Sequence, residues 1–313
     1  MRKIIIDTDP GQDDALAMMT AFGAKKDLNV LGVTCVAGNV PLDLTSVNAL
    51  KICELSGVFS VPVFRGSPAP LKRKLITAEH VHGKTGLDGT DLLVKKKELE
   101  PTDAVDFIIE CTEKYRDEKI TICALGPLTN IAKVLKKDTV LTESIEEIVL
   151  MGGGFFEGGN ITPAAEFNIY VDPEAAKIVL ESGLKITMLP LDVTHKTLVQ
   201  RNFLEKLRKS GKNSAIQAAK LLDFFERYDV EKYGSQGGPL HDPNVIVYLL
   251  DPEIYEGKLV NVEIEVNSEL TRGMTVVDWW NVTNRKPNAY YINDVKDDKF
   301  FEVVLNKVLS LEI

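Results

Sequence analysis

The sequence predicts an α/β fold: a Rossmann-like, mostly parallel central sheet with flanking helices and with helical and strand insertions towards its C-terminus. Short apolar runs rich in β-branched residues alternate with longer segments of helical periodicity along most of the chain. Such alternation is typical of parallel strands that are joined by helical crossovers. Because no linker rich in Gly, Ser or Pro interrupts the pattern, we expect residues 1–313 to form a single domain.

The individual elements follow from apolar spacing and from prolines at helix starts. Short apolar runs predict strands at residues 3–6, 29–38, 120–126, 145–153 and 185–194. Helical spacing between these runs predicts helices at residues 13–25, 41–57, 101–116 and 172–182. The later part of the chain predicts two helices within 200–232, broken near Ser210 and Gly211, then strands at 258–266 and 274–278 and a last helix at 297–311.

The net charge of the chain indicates which kinds of molecule it can bind. The formal charge of −9 argues against nucleic acid, because phosphate binding needs clustered Lys and Arg. Small molecules or metal cations are the expected partners. The N-terminus leads directly into a predicted strand without an apolar signal region, and no apolar run is long enough to span a bilayer. We therefore expect a cytoplasmic protein with no membrane partner and with its four cysteines as free, buried thiols.

Polar side chains follow almost every predicted strand at the point where the strand ends. Ligands of open α/β sheets bind beyond these carboxyl ends, so such residues are candidates for a site. The first strand is followed by four acids, which are Asp7, Asp9, Asp13 and Asp14. Later strands are followed by Asn39, residues 126–130, Asn160, Glu166 and Asn168, and a later helical segment opens with His241 and Asp242.

The four acids of residues 7–14 would repel one another unless they are paired. No Lys or Arg lies between Ile4 and Ala24 to compensate them, so a bound divalent cation is the simplest resolution. All-oxygen ligation suits Ca²⁺ or Mg²⁺ better than zinc. Helix capping explains one of these aspartates but not four. A phosphatase of the aspartyl-phosphate kind, with two aspartates separated by one residue, is an alternative that matches less well.

Seven motifs in order resemble the nucleoside hydrolase family, which includes inosine-uridine preferring and pyrimidine-specific ribonucleoside hydrolases. They are DTDPGQDDA from Asp7, AGN at 37–39, HGKTGLDG at 82–89, GPLTN at 126–130, MGGG at 151–154, NITPAAEFNIYVDPEAA at 160–176 and HDP at 241–243. The resemblance covers nearly the whole chain. It implies an enzyme that hydrolyses the N-glycosidic bond of ribonucleosides to free base and ribose.

The resemblance also implies roles for individual residues. Asp9 matches a metal-linked general base, and the Ca²⁺ ligands match Asp9, Asp14, Asp242 and the carbonyl of Leu125. Asp7 matches a supporting acid. The ribose-binding groups match Asp13, Asn39, Met151, Asn160, Glu166 and Asn168. The base-side groups match His82 and, in the segment before HDP, Phe225 and Asp229, with His241 as the candidate acid for the leaving group.

Physical chemistry supports these residue types independently. Carboxylates and amides can hydrogen-bond the vicinal hydroxyls of ribose. Ca²⁺ acidifies water less than zinc does, so a carboxylate base such as Asp9 is needed beside the attacking water. Cleavage passes through an oxocarbenium-like state, which surrounding anions stabilise.

Several alternatives stay open at this point. A metal-dependent phosphatase and a non-catalytic ribose-binding protein compete with the hydrolase, although the acid-rich site suits a phosphate poorly. Purine or pyrimidine preference is not decided, because Phe225 and Asp229 stand where pyrimidine-preferring relatives tend to carry Tyr and Gln. Members of the family are commonly homodimers or homotetramers, so the resemblance implies a homo-oligomer, with a homotetramer as the expectation. It also implies a role in the salvage of purine or pyrimidine nucleosides.

Overall fold

The computed structural model describes residues 1–137 and 143–311 and confirms the predicted α/β class. Its eight-stranded sheet has the order β3-β2-β1-β4-β5-β6-β10-β7. The parallel strands are β1 (Arg2–Thr8), β2 (Leu28–Cys35), β3 (Val63–Arg65), β4 (Ile120–Ala124), β5 (Ile145–Met151), β6 (Ile186–Leu189) and β10 (Ala289–Val295). Antiparallel β7 (Tyr255–Val260) closes one edge, and β8 (Val262–Ile264) pairs with β9 (Thr275–Val277) in a separate ribbon.

Strand β1 shows why the first apolar run becomes a central strand. Successive side chains of a strand point to opposite faces, and a parallel sheet is covered on both. Ile4 and Ile6 pack into one apolar core, whereas Ile5 packs into the other. All three are fully buried. This double burial fixes the register that carries Asp7 to the carboxyl end of the sheet.

Helices cover both faces of the sheet. The core that contains Ile4 is built from α1 (Gln12–Gly23), α2 (Leu42–Leu55), α9 (Arg201–Lys209), α10 (Asn213–Tyr233), α11 (Pro243–Leu250) and α12 (Asp297–Leu309). The core that contains Ile5 is built from α4 (Ala104–Lys114), α5 (Thr129–Lys137) and α7 (Pro173–Leu180). Short helices α3 (Glu79–His82), α6 (Phe167–Val171) and α8 (Leu191–Thr194) lie near the carboxyl ends of the strands.

The sequence prediction places most elements correctly and errs at specific boundaries. The predicted strand 185–194 ends at Leu189, because Pro190 begins helix α8 and the LDVT segment is helical. The predicted strand 258–266 is divided between β7 and β8. Strands β3 and β10 were not predicted. The break between α9 and α10 is confirmed, and Gly211 there has a φ of +74° that a glycine adopts without strain.

Two compositional expectations can be compared with the structure. The four cysteines are free and buried, as predicted. Among the described residues, no helix is long and apolar enough to cross a membrane.

Candidate active site

The carboxyl ends of the parallel strands open into a cavity of about 510 Å³. Many of the predicted site residues line it, namely Asp13, Asn39, His82, Leu125, Met151, Asn160, Glu166, Asn168, Phe225, His241 and Asp242. Asp7, Asp9 and Asp14 lie beneath this lining and are all buried. The fold therefore brings residues from across the chain to one place, as strand-end placement predicts.

Asp7 is held by hydrogen bonds from β2 and α5 and does not line the cavity. Its Oδ1 accepts hydrogen bonds from Thr34 Oγ1 at 2.6 Å and from Asn130 Nδ2 at 2.8 Å. Burial raises the pKa of Asp7 to about 6, against the lowering effect of those two bonds. The arrangement is that of an acid that ties β1 to β2 and α5.

Asp9 follows the end of β1 and is held between two glycines. Its Oδ2 accepts the backbone N–H of Asn39 at 2.7 Å, while its buried Oδ1 has no hydrogen-bond partner in the described structure. A Cβ on Gly38 or on Gly126 would collide with a carboxylate oxygen of Asp9. Both glycines are thus needed for the close approach of the backbone to this carboxylate.

Asp14 accepts three hydrogen bonds at the start of α1. Thr8 Oγ1 donates to its Oδ1 at 2.5 Å, and Oδ2 accepts from the Gly11 N–H at 2.9 Å and from Asn39 Nδ2 at 3.2 Å. The bond to Gly11 is the capping interaction that the sequence offered as an alternative explanation. Asp14 therefore caps the helix and also faces the acid cluster, where one of its carboxylate oxygens lies within 4.8 Å of one of Asp242.

Three carboxylates come together at the bottom of the cavity. Ligand oxygens of Asp13, Asp14 and Asp242 lie within 4.8 Å of one another. Burial and the charge of Asp14 raise the pKa of Asp13, and burial together with Asp13, Asp14 and Asp9 raises the pKa of Asp242 well above its usual range. Asp13 Oδ1 and Asp9 Oδ1 are buried without a partner in the described structure. Closely spaced carboxylate oxygens without hydrogen-bond partners are the kind of ligand that Ca²⁺ and Mg²⁺ prefer.

The ribose-side residues form their own hydrogen-bond network. Asn168 Nδ2 donates to the Leu125 carbonyl at 2.7 Å and to the Met151 carbonyl at 3.3 Å. Glu166 accepts the N–H groups of Gly153, Asn168 and Ile169 at 2.9–3.1 Å, which makes it the N-cap of α6. Asn160 Oδ1 accepts the N–H of Phe167 at 2.9 Å. Backbone contacts thus orient all three side chains towards the cavity.

The opposite end of the cavity is aromatic. The rings of His82 and Phe225 stack with centroids 5.6 Å apart. His241 Nδ1 lies 2.8 Å from Thr194 Oγ1, and burial lowers the pKa of His241 well below its usual range. The side chain of Asp229 lies outside the described part of the structure.

Some residues that orient the site were given no role in the prediction. Thr8, Gln12 and Asn130 lie within the quoted motifs and Thr34 lies within the predicted strand 29–38, but the orienting contacts of their side chains were not predicted. Glu157 and His195 line the cavity and pair with each other, with Oε2 and Nδ1 3.1 Å apart. His195 directly follows the predicted strand 185–194, a position from which it could border the site, but no role was predicted for it.

Comparisons with known proteins agree with this geometry. The family model described as inosine-uridine preferring nucleoside hydrolase matches residues 4–302. The chain is 44% identical to the pyrimidine-specific ribonucleoside hydrolase RihA of Photobacterium profundum, over 99% of both chains. It is 47% identical to an uncharacterized protein of Schizosaccharomyces pombe, over 98% of both chains. The solved purine-preferring ribonucleoside hydrolase from Gardnerella vaginalis superposes with a TM-score of 0.92 at 30% identity, over 99% of both chains.

Proposed function

We propose that Asp9 is the general base with which this protein cleaves ribonucleosides. The premise is that the chain belongs to the nucleoside hydrolase family and is a hydrolase acting on N-glycosyl compounds. One observation carries the assignment of Asp9. Its buried Oδ1 has no partner among the described residues, and the neighbouring Asn39, which donates to the same carboxylate, lines a cavity large enough for a nucleoside. A carboxylate placed in this way can take a proton from water as the water attacks C1′ of the sugar.

The metal in this proposal is Ca²⁺, held by Asp9, Asp14, Asp242 and the Leu125 carbonyl. The fit rests on the unpaired Oδ1 atom of Asp9, on the closeness of Asp14 and Asp242, and on the all-oxygen donor set. When bound, Ca²⁺ would offset the repulsion among these carboxylates and make a neighbouring water easier to deprotonate. Asp7 supports the group from below by tying β1 to its neighbours.

Ribose recognition is proposed for Asp13, Asn39, Met151, Asn160, Glu166 and Asn168. The carboxylates and amides of this set can bond the 2′- and 3′-hydroxyls. A 2′-deoxynucleoside would leave such a group unpaired, at a cost of about 1–3 kcal/mol for each group. The same anions oppose the positive charge that develops on the sugar as the bond to the base breaks.

The aromatic end is proposed to receive the base. In this proposal His82 and Phe225 contact the base, and Asp229 belongs to the same helix, α10, as Phe225. His241 assists the departure of the base. Thr194 can donate its hydroxyl hydrogen to His241 Nδ1, which leaves the ring proton on Nε2 for the base. Pyrimidine ribonucleosides are the proposed substrates, supported by the relatives of 42–44% identity that are named pyrimidine-specific.

No observation favours the alternatives. Among the described residues, the cavity lining includes neither Lys nor Arg, which a phosphatase would need to hold its substrate phosphate. A non-catalytic ribose binder has no need of a base, yet Asp9 is present and its carboxylate lies against two glycines, Gly38 and Gly126, that leave room for it. The single domain, the homo-oligomeric state, the cytoplasmic location and the salvage role remain predictions from the sequence.

The test is a panel of ribonucleosides, 2′-deoxynucleosides and 5′-nucleotides, assayed for release of sugar and base. We expect turnover of uridine or cytidine, abolished by a chelator and restored by Ca²⁺. The Asp9→Ala variant should lose most turnover while it still binds ribonucleoside. Full activity of Asp9→Ala would refute the assignment of the base, and release of phosphate from 5′-nucleotides would favour the phosphatase.

A further inference from the structure

Gln12 joins the start of α1 to the end of α3 and to the loop that follows α3. Its side chain is fully buried, and its Nε2 donates to the backbone carbonyls of His82 at 2.9 Å and of Asp88 at 3.1 Å. A carbonyl oxygen can only accept. Turning the carboxamide round would set its oxygen against both carbonyls and lose both hydrogen bonds, so the orientation of the Gln12 amide is determined by its surroundings.

This orientation places Gln12 Oε1 2.7 Å from Nδ1 of His82. An amide oxygen can only accept, so Nδ1 must carry the hydrogen. The ring is stacked on Phe225 and 7% exposed. Burial, with smaller effects from His80 and Arg227, lowers the pKa of His82 to about 3, which keeps the ring neutral. A neutral imidazole has one N–H, and Nε2 is therefore the bare nitrogen.

The bare nitrogen belongs to a side chain of the cavity lining. Among the described side chains, which do not include those of Asp229 and Tyr233, Nε2 has no hydrogen-bond partner. When a ligand covers an acceptor that has no partner, binding is favoured if the ligand brings a donor to it and weakened if it does not.

We propose that Gln12 is a positioning residue that fixes the ring proton of His82 on Nδ1, so that Nε2 meets the substrate base as an acceptor and selects bases that offer an N–H there. This inference rests on the proposed function. Uracil offers N3–H and cytosine offers its amino group. With the proton on Nδ1, His82 cannot protonate the leaving base through Nε2, which separates its role from that of His241.

The direct test is the ¹⁵N spectrum of the four histidine rings in the full-length, histidine-labelled protein at pH 7. The His82 signals are identified by their loss in His82→Asn. We expect a protonated Nδ1 and a bare Nε2, with Nε2 moving when uridine binds. In Gln12→Met the ring can place its proton on either nitrogen, and in Gln12→Glu the carboxylate should favour a ring with both nitrogens protonated. A proton on Nε2 of the wild-type ring overturns the proposal.

Kinetics test the selection of the base. Uridine is compared with 3-methyluridine, which lacks the N3–H, and with 5-methyluridine, which carries the extra methyl but keeps the donor. Wild-type kcat/KM should fall about 10- to 100-fold for 3-methyluridine and much less for 5-methyluridine. Gln12→Met should raise KM for uridine more than it lowers kcat and should shrink this discrimination. Gln217→Met, in α10 outside the cavity lining, is the matched control and should behave as wild type.

The outcomes separate the two proposals. Equal use of uridine and 3-methyluridine overturns the selection by His82 and leaves hydrolysis intact. If no ribonucleoside is cleaved, the proposed function fails, whereas the ring spectrum still decides the role of Gln12. Should the Gln12 variants fail to fold, the wild-type spectrum and the wild-type ratio of the two uridines decide alone.

Discussion

Glu166 provides a prediction whose magnitude follows from the structure. Its buried carboxylate accepts three backbone N–H groups, yet burial outweighs those bonds and raises its pKa from 4.5 to about 7. The folded protein therefore binds more protons at this group than the unfolded chain does between these two values. Stability from Glu166 is complete below about pH 4.5 and is lost as the pH rises towards 7.

The expected size of this effect is about 2–3 kcal/mol between pH 5 and pH 8, at about 1.4 kcal/mol for each pKa unit. Glu166→Gln removes the titration but keeps the shape of the side chain. The free energy of unfolding of the variant should therefore fall less steeply with pH than that of the wild type. A constant offset between the curves reflects the backbone N–H that faces the new amide group and loses its acceptor.

Urea unfolding at pH 5, 6, 7 and 8, with a chelator present, measures both slopes. Asp7 and the clustered aspartates titrate in both proteins, so the difference between the slopes isolates Glu166. Glu113→Gln, at an exposed position of α4, is the control and should parallel the wild type. Parallel curves for Glu166→Gln and wild type would refute the reasoning.

Three further predictions concern the architecture of the site. Gly126→Ala should lower kcat about 100-fold, because its Cβ displaces the Asp9 carboxylate and small misplacements of a reacting group are costly. Asp172→Asn should lower the free energy of unfolding by about 1–3 kcal/mol, because its carboxylate accepts from Leu71, Thr129 and Ala175 and an amide group cannot satisfy them all. Ca²⁺ at about 100 times its dissociation constant should stabilise the wild type by about 2.7 kcal/mol, measured by thermal unfolding.

Each of these has its own contrary result. A wild-type kcat in Gly126→Ala would show that the backbone near Asp9 can shift to accept the new Cβ without displacing the carboxylate. An unchanged urea midpoint in Asp172→Asn would show that its three hydrogen bonds are replaced by water. A Ca²⁺ response of Asp14→Asn equal to that of the wild type would remove Asp14 from the proposed ligands.

The sequence by itself determined the sheet class and the positions of the acids. The run of Ile4, Ile5 and Ile6 is buried on both sides, so its apolar character alone identifies a central strand that delivers DTDPGQDDA to the carboxyl edge. Local spacing was sufficient there because the strand, the turn at Pro10 and Gly11, and the helix start are encoded within a dozen or so residues. The same local signals missed β10, and they extended β6 past Pro190 into a helix.

Only the tertiary structure decided how the site residues are oriented and charged. Gln12 and His82 are separated by 70 positions, and their hydrogen bond exists because the fold brings the start of α1 against the end of α3. The pKa values of Glu166, His82 and His241 depart from their ordinary ranges because the folded chain removes water from them. Desolvation and long-range hydrogen bonds depend on which segments meet in space, and residue spacing along the chain does not contain that information.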